Sequence, residues 1–167
     1  HQSCEYGHLE VAKWLWSLNQ NIDIHADNDM IFHKSCVNGH LEVAKWFWSL
    51  NQNINIHINN EYAFRWSSYH GYSKVLKWLW SLSRNINIHA NNEYAFRISC
   101  KYGYLEIAIW LWGLNLNINI HANNEYAFCQ SCSYGYSKVA KWLWSLNQNI
   151  NIHANNEYAF CNSCEKN

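Results

Sequence analysis

The chain repeats itself every 32 residues from end to end, and that period constrains its fold more than any other feature. Gly7, Gly39, Gly71, Gly103 and Gly135 mark the step, and so do His25, His57, His89, His121 and His153. Cys4, Cys36, Cys100, Cys132 and Cys164 follow it, with Ser68 filling the gap. The phrase "HANNEYAF" stands at 89–96, 121–128 and 153–160, with "HINNEYAF" at 57–64. A strict period of this length means stacked units that each bury a face against their neighbours. The repeats divide as a partial unit at 1–26, full units at 27–58, 59–90, 91–122 and 123–154, and a partial unit at 155–167. They form one array with no linker or low-complexity tail. Since the chain begins at His1 and stops inside a repeat, it is expected to be a piece of a longer protein. Its apolar, uncapped end faces should favour association when the piece stands alone, and a monomer is expected within the full array.

Each unit parses alike. "NNEYAFRISCKY" predicts a short first helix capped by Asn, with Glu93 in its first turn and Arg97 four residues on as an ion-pair partner. Gly103 then turns the chain. "LEVAKWLWSL" predicts a second helix whose polar positions, Glu10, Lys13 and Ser17, make one narrow stripe, so neighbours must pack it on several sides. Alternating Ile and Asn in "NQNINIHANN" predict an extended finger between units.

Composition excludes more than it assigns. Twelve basic and 12 acidic residues give no net charge, and no block of like charge offers a nucleic-acid or anionic-membrane footprint. The longest apolar run, Ile107 to Leu114, is far short of the roughly 20 residues that span a bilayer. No secretory signal is visible, so an intracellular protein with reduced thiols is expected. The heavy use of Asn and Ile fits an AT-rich genome as well as a physical need.

Helix, Gly turn, helix and finger around Gly7-His8-Leu9-Glu10-Val11 and Gly39-His40-Leu41-Glu42-Val43 resemble the ankyrin repeat. "INIHA" stands where that family's hairpin segment ends, and "EYAF" replaces the Thr-Pro that opens its first helix. The wording is most similar to the ankyrin families of giant DNA viruses that infect amoebae, which would place the protein in host cytoplasm. The resemblance implies an all-α, helix-turn-helix solenoid with short β-hairpin-like or extended fingers. It implies protein–protein binding on a concave face and no catalysis.

Several residues invite other chemistry. The histidine ladder suggests metal or a pH switch, but packed helices lie about 8–10 Å apart, too far for two rungs to share one ion. Hydrogen bonds from each His to the finger backbone are expected instead. The ladder cysteines are too far apart for disulfides and read as small core residues. Cys129-x-x-Cys132 and Cys161-x-x-Cys164 leave a thiol or zinc module as an alternative function, although 28 residues separate the pairs. The recurring serines 35, 67, 99, 131 and 163 lack a repeating His–acid relay, and no phosphate loop is present. The Trp pairs at 14/16, 46/48, 78/80, 110/112 and 142/144 are expected in the core. Glu10, Glu42, Lys74, Glu106 and Lys138 alternate in sign from Glu42 onward, which predicts an inter-repeat salt-bridge ladder worth under about 1 kcal/mol per pair.

Positions that stay fixed from unit to unit serve the stack; those that vary are open to a partner. In the first helix these are Lys34, Trp66, Ile98, Gln130 and Asn162, and the pairs before each Gly: Val37-Asn38, Tyr69-His70, Lys101-Tyr102 and Ser133-Tyr134. The ankyrin resemblance puts the pre-Gly pairs on the concave face, where Trp, Tyr and His suit a binding hot spot. The expected function is a scaffold for an unidentified protein partner, needing no cofactor. A substrate-recognition part of a longer enzyme or of a ubiquitin-ligase adaptor is a further alternative.

Overall fold

Ile54 and Ile56 are buried while Asn53 and Asn55 between them face water, and Ile118 and Ile120 are buried beside exposed Asn117 and Asn119. This two-residue alternation pins these fingers onto the helices. The asparagines also shape it: the His57, His121 and His153 amides each donate to the side chain of the Asn two residues earlier, at 3.0 Å. Such Asx turns are a local reason for the Asn content.

The computed structural model describes residues 2–18, 22–114, 117–146 and 149–165. They fall into two compact units, 1–87 and 88–167. The first holds α1 (Gln2–Glu5), α2 (Leu9–Leu18), α3 (Ala26–Val37), α4 (Leu41–Leu50), α5 (Ile58–Tyr69) and α6 (Ser73–Leu82). The second holds α7 (Ala90–Lys101), α8 (Leu105–Trp112), α9 (Ala122–Ser133), α10 (Ser137–Leu146) and α11 (Ala154–Glu165). Among the described residues there is no strand. In each unit the odd-numbered helices pack on one another and on the even-numbered helix that follows them. This is the helix-turn-helix stacking of a solenoid.

The narrow wet stripe is seen in α4 and α6 but not in α2, where the sequence predicts it and where Val11, Trp14, Leu15 and Leu18 are exposed as well. In α4 only Glu42, Lys45 and Ser49 are exposed; in α6 only Lys74, Lys77 and Ser81 are. Val43, Ala44 and Phe47, and likewise Val75, Leu76 and Leu79, are buried against the odd helices. At Glu10 and Glu42 the described residues pair within the helix and not across repeats as expected. Glu10 and Glu42 instead bind Lys13 and Lys45, three residues on in the same helix, at 3.0 and 2.9 Å. That short reach needs less side-chain ordering than a bond across repeats. The tryptophans are also more exposed than expected. Trp80 is buried, most of the others are half-buried, and Trp14 and Trp144 are exposed. Phe32, Phe64 and Phe96 are sealed from water, while the equivalent Phe128 is half-buried and Phe160 is exposed. Trp48 and Trp78 lie beside the Phe32 ring, at 6.3 and 6.0 Å.

The glycine turns are as expected. At the end of α3 the His40 amide reaches back to the Ser35 carbonyl and the Gly39 amide to Cys36, closing a Schellman motif with Gly39 at φ +78°. The next repeat's ring also rests on this turn. A Cβ on Gly39 would lie 2.8 Å from Tyr72, and one on Gly103 only 2.4 Å from Tyr136.

The start of helix one differs from expectation. Asn91, Asn92 and Glu93 all have positive φ (54°, 58° and 61°), so a left-handed turn precedes the right-handed helix, and the same happens in every described repeat. Asn does not cap the helix from outside; it occupies a conformation that Asn tolerates better than most residues. Arg97 does not take Glu93 as its hydrogen-bond partner either. It donates through Nε to the Asn92 carbonyl at 2.6 Å and through Nη2 to Asn91 at 3.1 Å. Arg65 clamps Asn60 and Asn59 in the same way.

The acid that ends this turn ties repeats together. Glu61, Glu93 and Glu125 are buried, as is Asp29. Each accepts from the Nδ1–H of the histidine four residues earlier: Glu61 from His57 at 3.0 Å, Glu93 from His89 at 2.8 Å, Glu125 from His121 at 2.8 Å. Each also accepts a finger amide one repeat on: Asp29 from Asn55 (2.9 Å), Glu61 from Asn87 (3.1 Å), Glu93 from Asn119 (3.2 Å) and Glu125 from Asn151 (3.2 Å). The ladder histidine was expected to hold the finger by its own backbone bonds. The carboxylate makes that bond, because it can accept from both donors at once.

Candidate protein-interaction surface

Residues three and four apart share a helix face. That spacing joins the variable positions of α5 to the fixed tyrosine that opens the right-handed part of the helix. Tyr62, Trp66, Tyr69 and His70 make a continuous aromatic strip in the first unit. Trp66 lies 6.1 Å from Tyr62, 5.2 Å from Tyr69 and 6.3 Å from His70. His70 stacks on Tyr72 at 5.7 Å. Trp66 and Tyr69 are half-buried and His70 is exposed. On α3 the exposed Lys34 is paired with Glu5 at 3.2 Å, and exposed Asn38 donates to the Glu5 carbonyl; Val37 is half-buried beside them.

In the second unit the same face is cationic and tyrosine-rich. Lys101 and Tyr102 are half-buried, Gln130 is half-buried, and Tyr134 is exposed. Ile98 and Ser133 are buried, so these two predicted contacts offer no open surface. Arg97, buried among tyrosines, has its pKa lowered by burial, with Tyr126, Tyr94 and Glu93 opposing that shift. Asn162 is half-buried on α11.

Tyr62 and Tyr126 are the surface residues that variation alone misses. They recur in every "EYAF", which assigns them to packing. Their spacing of four residues from Trp66 and Gln130 carries the signal that they line the same face.

The alternative sites come apart in the structure. Cys129 is buried, its thiol pushed up to about 11 by burial above all, with Cys132 and Glu125 adding to the shift. Burial also raises Cys132. Both shifts oppose the thiolate that zinc requires. Cys161 and Cys164 are exposed on α11, and among the described residues no three metal-ligating side chains come together. The ladder thiols Cys36 and Cys100 are wholly buried and pushed up by that burial. The recurring serines bond backbone: Ser67 Oγ donates to the Cys36 carbonyl one repeat earlier at 3.1 Å, and Ser99 Oγ donates to Ala95 at 2.7 Å. Among the described residues no helix is long and apolar enough to cross a membrane.

The comparisons agree with this architecture. A family model described as ankyrin repeats, three copies, matches residues 1–92. Among solved structures, the ankyrin repeat domain of human ASB11 is similar with a TM-score of 0.68 and 18% identity, over 92% of this chain and 70% of that one. No curated protein matches the chain. With the repeat pattern, the stacked helix pairs and the family match in place, the chain belongs to the ankyrin repeat family.

Proposed function

We propose that this chain is a non-catalytic scaffold that binds a partner protein through the outward face of helix one, with residues 1–167 forming one array. One observation carries the proposal: the buried positions are repeated while the face beside them is varied and aromatic. Phe32 and Phe64 are the same residue in the same sealed place, whereas Lys34 and Trp66, two residues on, differ on exposed and half-buried ground. Trp, Tyr and Arg, the types enriched at binding hot spots, gather there. The face is the one that ankyrin arrays present as concave. The proposed contact residues are Trp66, Tyr69 and His70 in the first unit and Lys101, Tyr102 and Tyr134 in the second.

The test is affinity capture from a eukaryotic lysate with the parent chain and a Trp66→Ala/Tyr69→Ala/Tyr102→Ala variant that keeps its circular dichroism. A protein captured by the parent and lost with the variant supports the scaffold. Identical captures, or none, overturn the choice of face. The cysteine pairs gain no support from the structure as a rival site, given the buried, raised Cys129.

A further inference from the structure

We propose that the chain binds a second copy of itself head to tail, with α2 of one copy docking on α11 of the other and its Trp14 filling the cavity beside Phe128. This interface is separate from the partner-binding face of helix one. Phe32 on α3 is covered by two tryptophans: Trp48 on helix two of its own repeat, at 6.3 Å, and Trp78 on the next helix two, at 6.0 Å. Phe96 likewise meets Trp142 on the next helix two at 6.2 Å. Phe128 has Trp144 of its own repeat at 6.2 Å. It also lines an apolar cavity of about 650 Å³ with Ala140, Ile152, Ala159 and Phe160. Phe160, the equivalent ring on α11, is 69% exposed. By the 32-residue step, these are the places that a helix two packed on α11 fills.

The head of the chain presents such a helix. Val43, Phe47, Val75 and Leu79 are buried in α4 and α6, whereas their counterparts Val11 and Leu15 in α2 are exposed, and Trp14 is 60% exposed. Leu15, Trp16 and Trp46 line a small hollow, with Trp16 and Trp46 at 6.5 Å. Cys4 and Cys164 are five 32-residue steps apart, so the two ends share one register. A second copy's α2 set after α11 in that register brings Trp14 to Phe128 as Trp142 stands by Phe96. Phe160 in turn enters the hollow of the second copy between Trp16 and Trp46, as Phe32 lies between Trp48 and Trp78. A small apolar ligand in the cavity leaves the face of α2 in water, whereas a second copy covers both at once.

The last turn of α11 also repeats the sequence of α1. Ser163-Cys164-Glu165 stands where α1 has Ser3-Cys4-Glu5. In a free copy α1 is held to α3 by the Asn38 side chain, which donates to the Glu5 carbonyl at 3.0 Å, and by Ser35 Oγ, which donates to the Cys4 carbonyl at 3.5 Å. Helix α11 has 12 residues against four in α1, and it offers Asn38 and Ser35 the carbonyls of Glu165 and Cys164. It therefore displaces α1 from the second copy. Since the two faces differ, the contact is heterologous and builds open chains of copies.

The experiment is sedimentation velocity of the whole chain over about a hundredfold range of concentration. Reductant is present because Cys161 and Cys164 are exposed. Variants are Trp14→Glu at the head, Phe160→Glu at the tail and, as an equal change at an exposed apolar position of α8, Ile109→Glu, each checked by circular dichroism. The parent should sediment faster as concentration rises, through dimers to larger species. Trp14→Glu and Phe160→Glu should each associate at least about tenfold more weakly, and Ile109→Glu should match the parent within about twofold. An equimolar mixture of Trp14→Glu and Phe160→Glu should form dimers and nothing larger, since one intact tail meets one intact head. A parent that stays monomeric across the range overturns the proposal. So does a Trp14→Glu or Phe160→Glu chain that associates as the parent does, a mixture of the two that stays monomeric, or an equal loss in Ile109→Glu.

Discussion

The buried Glu93 carboxylate accepts the Asn119 backbone amide at 3.2 Å, one full repeat downstream, while the His89 ring donates to the same oxygen at 2.8 Å. A single side chain thus fixes its own left-handed turn and the next finger. The relationship recurs from Asp29 to Glu125, so it acts as the stitch of the stack.

Removing that stitch should be costly. Glu93→Ala removes the buried acceptor shared by the partly exposed His89 ring and Asn119 amide, which costs about 1–2 kcal/mol. Glu93→Gln keeps an acceptor and should cost less. Glu157→Ala, at a half-exposed pair on α11, should cost least of the three. Urea unfolding of the variants gives the ranking, and faster hydrogen exchange at the Asn119 amide in Glu93→Ala locates the effect.

Two glycines with nearly the same φ separate backbone strain from contact. Gly103 and Gly135 have φ of +76° and +75°, but only Gly103 lies against a ring, with Tyr136 at 2.4 Å from a built Cβ. Gly135→Ala should pay the left-handed penalty alone, about 1–2 kcal/mol. Gly103→Ala should lower the melting temperature further. Adding Tyr136→Ala to Gly103→Ala should bring the two glycine substitutions closer together.

Arg97 offers a third check. It is buried and bonded to two carbonyls of the left-handed turn, whereas Cys129 takes the equivalent place in the next repeat. Arg97→Met should destabilise by about 2 kcal/mol, since both carbonyls lose a charged donor. The half-buried Arg65→Met should cost less, as water can reach the freed groups. Chemical denaturation measures both.

His33 predicts an acid-side loss of stability. It is fully buried, its Nε2–H donates to the Asn55 carbonyl at 3.0 Å, and burial lowers its pKa below 6.5. The unfolded chain therefore binds this proton more readily than the folded one. Its contribution is present above the unfolded pKa and is lost as the pH falls below about 6.5 towards the folded value. His33→Gln should flatten the dependence of unfolding free energy on pH below about 6.5 relative to the parent. An unchanged slope would remove His33 as its source.

The 32-residue period and the polar pattern make the architecture legible in the sequence. The glycine spacing located the turns, and the polar stripe read at Glu10, Lys13 and Ser17 holds as the wet edge of the second helix in its later copies at Glu42, Lys45 and Ser49 and at Lys74, Lys77 and Ser81. What remained hidden was chemistry that two distant pieces share. "HANNEYAF" looks like an ordinary capped helix start because Asn, His and Glu all suit that role. Only the fold shows that Glu93 answers to Asn119, 26 residues on. Tyr126 was obscured for the opposite reason: a residue repeated in every unit looks structural, although its half-buried ring lies beside both Lys101 and Arg97. Tryptophan misled through its size, since a ring can cover core while leaving much of itself in water, as Trp144 does.

Helix one, and not helix two, is the surface proposed to meet the partner. Site-specific photo-crosslinking tests it most directly. A photoreactive phenylalanine analogue is placed singly at Tyr69 or Tyr134 on helix-one faces, and at Lys77 or Lys141 on helix-two stripes. Each version is exposed to the captured partner and the adduct is read by mass spectrometry. Adducts from Tyr69 and Tyr134, with none from Lys77 and Lys141, are the predicted result. Adducts from Lys77 and Lys141, with none from the tyrosines, would contradict it.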